Sequence, residues 1–251
     1  MLISFVVPTL NEHGNIERLI KKINEIAKLN KIQHELIVID DNSKDGTIQD
    51  VKNLQKTQNN INLIVRKNKV GIGSALRDGY NNAKGDLLFS IDGDLSHPPD
   101  KIPEFIRKIK DGCDMVMSSR YIPGGSVDKN IKNYMVSKMG AYYLSIMFRI
   151  NIKDFTTAYR IIRKELWEKI KNYKYSNRNV FLIEMVYYAY KNGGKLGEIP
   201  IFFKDREIGS SKTPLFRMAI KSLILPITIR INSFKKSNKK IEKKGQFEKQ
   251  I

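Results

Sequence analysis

The chain has a single cysteine, Cys113, which excludes an intramolecular disulfide and any cysteine metal cluster. A lone thiol reads as a small core residue, and this usage is compatible with a reducing, cytoplasmic compartment. Long apolar runs are missing too: no window reaches the roughly 18 residues that a membrane-spanning helix needs. The nearest, 214–231, is interrupted by Arg217, Lys221, Pro226 and Arg230, and is expected instead to be an amphipathic helix at an interface. Residues 2–7 are too short for a signal peptide and lack a basic flank, so they read as a strand. There is no internal repeat, and no helix-turn-helix, zinc-finger or RNA-binding signature.

Acid is scarce. Against 45 Lys and Arg stand 26 Asp and Glu, giving a formal charge of +19 over 251 residues. Such an imbalance implies an anionic partner: nucleic acid, an anionic membrane surface or a phosphorylated substrate. The excess is dispersed through the helices and densest after Phe234, where seven lysines stand against two glutamates. With no binding motif beside it, that distribution argues against nucleic acid. The chain is expected to form one α/β domain over 1–232, with the 214–231 helix included. A mobile lysine-rich tail, 233–251, then attaches it peripherally to a membrane together with that helix.

What is present is a regular alternation. Short continuous apolar runs at 3–7, 35–39, 61–65 and 86–91 alternate with helical spacing, as in Ile16, Leu19, Ile20, Ile23 and Ile26. This predicts a mostly parallel sheet with helices on both faces. Further on, the pattern predicts helices over 100–110, 131–148 and 181–190, and strands over 115–118, 155–160 and 197–203. The tyrosines of the 131–148 helix, Tyr134, Tyr142 and Tyr143, read as core.

Three successive strand ends carry carboxylates: Glu12, the Asp40/Asp41 pair, and Asp92 with Asp94. In a parallel sheet such ends gather on the edge where ligands bind. Asp92 and Asp94 stand one residue apart in D-G-D-L-S-H-P-P, where Pro98 and Pro99 end the strand and suit a helix start. Alone, D-G-D is more readily a solvated acidic turn. Two carboxylates this close repel unless a cation compensates, and magnesium is commonly held by one or two carboxylates plus substrate phosphates. Arg120, Arg206 and Lys212 supply cations from later loops, so acids for metal and ribose face bases for phosphate, as a nucleoside-diphosphate site requires. Gly71 and Gly73 lack the third glycine of a dinucleotide fingerprint and follow the third strand, which excludes a nicotinamide-dependent dehydrogenase.

Six blocks in register carry a more specific signal: V-P-T-L-N-E at 7–12, I-D-D-N-S-K-D-G-T at 39–47, D-G-D-L-S-H-P-P-D at 92–100, S-S-R-Y at 118–121, D-F-T-T-A-Y-R at 154–160 and R-E-I-G-S-S-K at 206–212. In these the chain resembles the inverting GT-A glycosyltransferases, and among them the dolichol-phosphate (polyprenyl-phosphate) mannosyltransferases. The resemblance departs at Leu10, where the family usually has tyrosine, and at Gly93, often alanine. Asn133, beside Lys132, stands where an arginine is common, and Thr157-Ala158-Tyr159-Arg160 replaces S-G-F-R. It implies that Pro8, Leu10, Glu12, Ile39 and Asp41 line the nucleoside pocket with Asp40 close by, and that the Gly93 backbone lies against the donor. It further implies that Asp92, Asp94 and Ser96 hold Mg2+ or Mn2+. Arg120, Arg206 and Lys212 would hold donor or acceptor phosphate, and Lys132 and Ser137 would join Arg120 at the acceptor phosphate. Asp94, Arg120, Arg206 and Lys212 are the residues expected to carry catalysis. His97, between the metal strand and two prolines, reads as structural. The implied reaction moves mannose from GDP-mannose to a polyprenyl phosphate at a cytoplasmic membrane face, with room for a separate membrane subunit. A UDP-sugar with a polysaccharide or protein acceptor is the alternative.

Overall fold

The computed structural model describes residues 1–67, 71–128, 131–203 and 225–229, without the side chains of 131–133. The first half alternates strand and helix: β1 Leu2–Thr9, α1 Asn15–Leu29, β2 Gln33–Asp40, α2 Thr47–Gln55, β3 Ile61–Val65, α3 Ile72–Asn82 and β4 Leu87–Ser90. A 3-10 turn, Pro99–Lys101, runs into α4 Ile102–Lys110, with prolines at the helix start where a missing N–H costs nothing. There follow β5 Met115–Ser119, β6 Ser126–Val127, α5 Ile131–Phe148, β7 Arg160–Arg163, α6 Lys164–Ile170, α7 Val180–Lys191, β8 Leu196–Pro200 and β9 Phe202–Phe203.

Seven strands form one sheet in the order β3-β2-β1-β4-β7-β5-β8, and β6 pairs with β9 separately. All pairs in the large sheet are parallel except the two made by β7, which runs antiparallel to both β4 and β5. Side chains alternate between two hydrophobic clusters. Val6, Ile37, Ile39 and Leu88 point to the face covered by α3 and α7, while Phe5, Val7, Leu36, Val38 and Phe89 point to the face covered by α1 and α4. Each strand is therefore apolar on both sides, the reason its sequence reads as an unbroken run.

The structure departs from the sequence pattern in four places. The run at 155–160 forms a loop, and β7 begins only at Arg160. Asp154 Oδ1 accepts the Thr156 amide at 3.1 Å and Thr157 Oγ1 accepts the Tyr159 amide at 3.1 Å, and these local turns compete with a strand ladder. The run at 197–203 divides after Pro200, into β8 against β5 and β9 against β6. Helix α6 has no counterpart in the sequence reading. Tyr142 is 61% exposed, whereas Tyr134 and Tyr143 are partly buried, so the expectation of three core tyrosines fails for Tyr142. Of the expected 214–231 helix, only 225–229 are described; they are helical, with Leu225 and Ile229 in the core and Ile227 exposed. The tail lies outside the described residues. Among these, no helix is long and apolar enough to cross a membrane.

Gly79 lets α3 approach β1 closely: a Cβ there would stand 2.2 Å from Val6 Cγ1. Gly79→Ala should cost about 1–3 kcal/mol in urea denaturation, the usual range for an overpacked core. In a Val6→Ala background the same change should be nearly neutral; an equal loss there would mean that another contact is responsible.

Candidate active site

Sheet order brings the three acidic strand ends together. β3 separates them in the chain but sits at the edge, so β2, β1 and β4 are adjacent and their loops line one rim. Each loop turns through a left-handed residue: Asn11 at φ 57°, Asn42 at φ 62° and Leu95 at φ 60°. Asparagine visits this region readily, but leucine has no local hydrogen bond to compensate, so strain is concentrated in the D-G-D-L loop.

Within that loop Asp94 is nearly buried, 7% exposed, and its Oδ1 accepts both the Ser96 amide at 3.1 Å and the Ser96 hydroxyl at 2.6 Å. Asp92 is 25% exposed, with Oδ2 3.7 Å from His97 Nδ1. His97 is buried, stacked on Tyr159 at 5.0 Å and edge-on to Phe203 at 5.5 Å, as expected of a structural residue. The Tyr159 hydroxyl donates to the Pro98 carbonyl at 2.9 Å, which ties the D-G-D-L loop to the start of β7. Gly93 lies against β1: a Cβ there would stand 3.1 Å from Thr9 Cγ2 and 3.5 Å from Glu12 Cγ. Pro8, Leu10 and Glu12 are partly exposed along the same rim.

Two residues expected to serve the nucleoside pocket have no surface to offer. Ile39 is wholly buried in the core, and Asp40 is wholly buried beneath the rim. Asp40 accepts from Thr9 Oγ1 at 2.9 Å, the Ser43 amide at 2.7 Å and Ser43 Oγ at 2.6 Å. A carboxylate so fully bonded anchors a turn, so both residues form the floor beneath the pocket. Asp41 is paired with Arg66, whose Nε donates to its Oδ1 at 2.6 Å. The same guanidinium reaches Asp78 at 3.0 Å and Ser74 Oγ at 2.5 Å, joining β2, β3 and α3.

On the far side of the rim, Arg120 grips Asp154 through two bonds, Nε to Oδ2 at 2.7 Å and Nη2 to Oδ1 at 3.1 Å, and donates to Thr156 Oγ1 at 2.8 Å. Burial works against the charge of Arg120, but the Asp154 carboxylate outweighs it and raises the guanidinium pKa. Arg120 also lies over Tyr121, 4.9 Å from the ring centre. Burial pushes the Tyr121 hydroxyl up to about 12, against the opposing pull of Arg120 and of the neighbouring Ser137 side chain. Ser137 and Tyr121 thus bring the start of α5 to Arg120. Behind them Glu198 accepts the amides of Lys153 and Asp154, both at 2.9 Å; burial raises its pKa. Arg160 is wholly buried on the carbonyls of Thr157 and Leu182, each at 2.9 Å, and burial lowers its pKa to about 10. Arg206 and Lys212, and the side chain of Lys132, lie outside the described residues.

Sequence reasoning assigned no role to Arg66, Asp154 or Glu198. Asp154 stands inside a motif already singled out, and Arg66 opens the basic stretch after β3; their partners became visible only with the topology. Among the described residues no group of three or more His, Cys, Asp or Glu forms a metal cluster. Asp92 and Asp94 make a pair of hard oxygen donors, which fits a magnesium or manganese ion that keeps further positions for substrate phosphate.

Residues 4–171 match a family model described as Glycosyl transferase family 2. The chain is 30% identical over 218 residues to a polyprenol monophosphomannose synthase from Mycolicibacterium smegmatis, covering 82% of this chain and 79% of that protein. It is 32% identical over 216 residues to a dolichol-phosphate mannosyltransferase from Pyrococcus furiosus, covering 84% of this chain but 59% of that longer relative. Among solved structures, it is similar to a glucosyl-3-phosphoglycerate synthase from Mycobacterium tuberculosis in complex with Mn2+, uridine diphosphate and phosphoglyceric acid. That match has a TM-score of 0.66 at 19% identity and covers 90% of this chain and 78% of that one. The fold is the expected GT-A arrangement.

Removing the Asp154 carboxylate strands the Arg120 guanidinium. Asp154→Ala should destabilise the protein by about 3–5 kcal/mol in denaturant titration, the usual result of breaking a buried ion pair from one side. Asp154→Asn, which keeps the shape, should fall between that and wild type; a loss below about 1 kcal/mol for Asp154→Ala would show the pair to be solvated.

Proposed function

Because the chain belongs to glycosyl transferase family 2 and is a glycosyltransferase, we propose that it transfers mannose from GDP-mannose to a polyprenyl phosphate. Curated relatives at 27–32% identity carry names that couple mannose to a polyprenol or dolichol phosphate, and one structural observation supports the lipid acceptor. Helix α5 starts beside Arg120, Tyr121 and Ser137 and turns Met135, Val136, Met139, Tyr142 and Ile146 outward. A phosphate-sized polar cluster at the head of an exposed apolar stripe suits an acceptor with a charged head and a hydrocarbon tail.

In this reading Asp92 and Asp94 hold Mg2+ or Mn2+, with Ser96 orienting Asp94 through its hydroxyl. A divalent ion held by these residues would supply positive charge to offset the charge that develops on the departing diphosphate. Arg206 and Lys212 are proposed to assist on the diphosphate, and Arg120, Ser137 and Lys132 to receive the acceptor phosphate. A phosphate monoester, with a second pKa of about 6, is already largely ionised near neutral pH and attacks the anomeric carbon without a strong general base. Asp154 is unsuited to act as one, since Arg120 occupies both of its oxygens. Displacement from the opposite face inverts the α-linked donor to a β-mannosyl phosphate.

A radiolabelled-donor assay with polyprenyl phosphate and Mn2+ tests this directly. Label from GDP-mannose should enter the organic phase and vanish with excess EDTA or Asp94→Asn. Transfer only from UDP-sugars would replace the donor, and label that stays aqueous with every donor would overturn the acceptor. A second expectation concerns the membrane. The stripe, together with the +19 charge, should carry the protein onto phosphatidylglycerol vesicles. Paired Met139→Glu and Ile146→Glu changes should reduce cosedimentation severalfold; undiminished binding would move the contact elsewhere.

A further inference from the structure

The D-D-N-S-K-D-G-T block supplies more polar side chains than a nucleoside pocket can use, and the structure accounts for the surplus. Four consecutive backbone amides after β1, those of Asn11, Glu12, His13 and Gly14, have left the strand and precede the first turn of α1. Such a row of N–H groups at a helix start is an anion cradle by default. Here every one is taken by a side chain from the loop after β2 or the start of α2. Asn11 donates to Ser43 Oγ at 2.8 Å, Glu12 to Thr47 Oγ1 at 2.8 Å, His13 to Asp45 Oδ2 at 3.0 Å and Gly14 to Asp50 Oδ2 at 2.9 Å.

The two hydroxyls are themselves aimed. Ser43 Oγ donates to Asp40 Oδ2 at 2.6 Å, and Thr47 Oγ1 donates to Asp45 Oδ1 at 2.6 Å, so each accepts an amide on one side and feeds a carboxylate on the other. Burial works against the Asp45 charge, but the bonds from Thr47 and His13 outweigh it and hold its carboxyl below the usual range. The loop so fixed contains left-handed Asn11, whose side chain returns a bond by accepting the Lys44 amide at 3.1 Å. It also places Glu12 against the backbone of Gly93.

We propose that Thr47, aimed by Asp45, is a positioning residue for donor binding that holds Glu12 by its backbone amide against the D-G-D loop. Two consequences follow. The β1 loop cannot cradle the donor diphosphate with its amides, because all four are occupied, so phosphate recognition falls to side chains and the metal. Glu12 is thereby presented to the donor at a fixed distance from Asp92 and Asp94. This inference rests on the nucleotide-sugar reading of the rim.

The test is nucleotide binding by titration calorimetry on the full chain with Mn2+, using GDP and UDP, alongside donor and acceptor KM and the melting temperature. Thr47→Val keeps the shape and loses both hydroxyl bonds. It should weaken nucleotide binding and raise donor KM about tenfold, the scale of one well-made hydrogen bond in a preorganised site. Acceptor KM should hold, the melting temperature should fall by no more than several degrees for the buried hydroxyl lost, and Thr47→Ser should restore binding to within about threefold. If Thr47→Val does not fold, Asp45→Ala carries the same measurement and the same expectation. Unchanged nucleotide binding in the hydroxyl-less variant, equal losses with Val and Ser, or an equal rise in acceptor KM would each overturn the proposal. A wild-type protein that binds neither nucleotide would overturn the donor reading beneath it.

Discussion

Burial of both faces of the sheet is the constraint from which everything else follows. Once Val6, Ile37 and Leu88 fill one cluster and Phe5, Val38 and Phe89 the other, no strand interior can present chemistry to solvent. Polar side chains are driven to the strand ends. The order β2-β1-β4 then decides which of those ends meet, so that Glu12, Asp41, Asp92 and Asp94 share a rim although the chain delivers them far apart. The rim is rigid because the floor beneath it is polar and fully bonded, Asp40 with three donors being the clearest case.

Part of the large positive charge of the chain is taken up by internal bonds at this rim. Among the described residues, Arg66 is spent on Asp41 and Asp78, Arg120 on Asp154, and Arg160 on backbone carbonyls. Each braces separate parts of the fold, and for Arg66 and Arg160 that is the whole of the role their bonds show. Arg120 keeps donor capacity beyond Asp154, since a guanidinium carries five N–H groups, and it stands over an aromatic shelf formed by Tyr121 and Phe203. Its environment therefore combines a pinned orientation with residual hydrogen-bonding reach.

Much of the fold was legible because local pattern and global arrangement agree. Continuous apolar runs meant doubly covered strands, and prolines after D-G-D marked the start of α4. The failures have physical causes. In D-F-T-T-A-Y, β-branched composition suggested a strand, but Asp154 and Thr157 capture neighbouring amides and turn the backbone first. Tyr142 looked like core because α5 is apolar around its whole circumference, and periodicity gives no direction to such a helix. Ile39 was expected to line the nucleoside pocket, with Asp40 close by, from likeness of motif, whereas the strand's alternation sends the first side chain into the core and the turn claims the second. The partners of Arg66 and Asp154 could not be read from the chain, since neither pairing follows from spacing along it.

The antiparallel insertion of β7 imposes an order of events on the polypeptide. β1 to β4 pair with one another through short crossovers and can be laid down as the chain emerges. The acidic loop that follows β4, however, leans on the Tyr159 ring against His97 and on the Ser90 hydroxyl donating to the Ala158 carbonyl, partners 62 and 68 positions downstream in the same segment. Loop closure of that span must come before those contacts exist. The acidic rim consequently takes its final shape only after β7 has joined the sheet, and a chain interrupted between β5 and β7 would display the acidic motif without the scaffold that gives it a defined form.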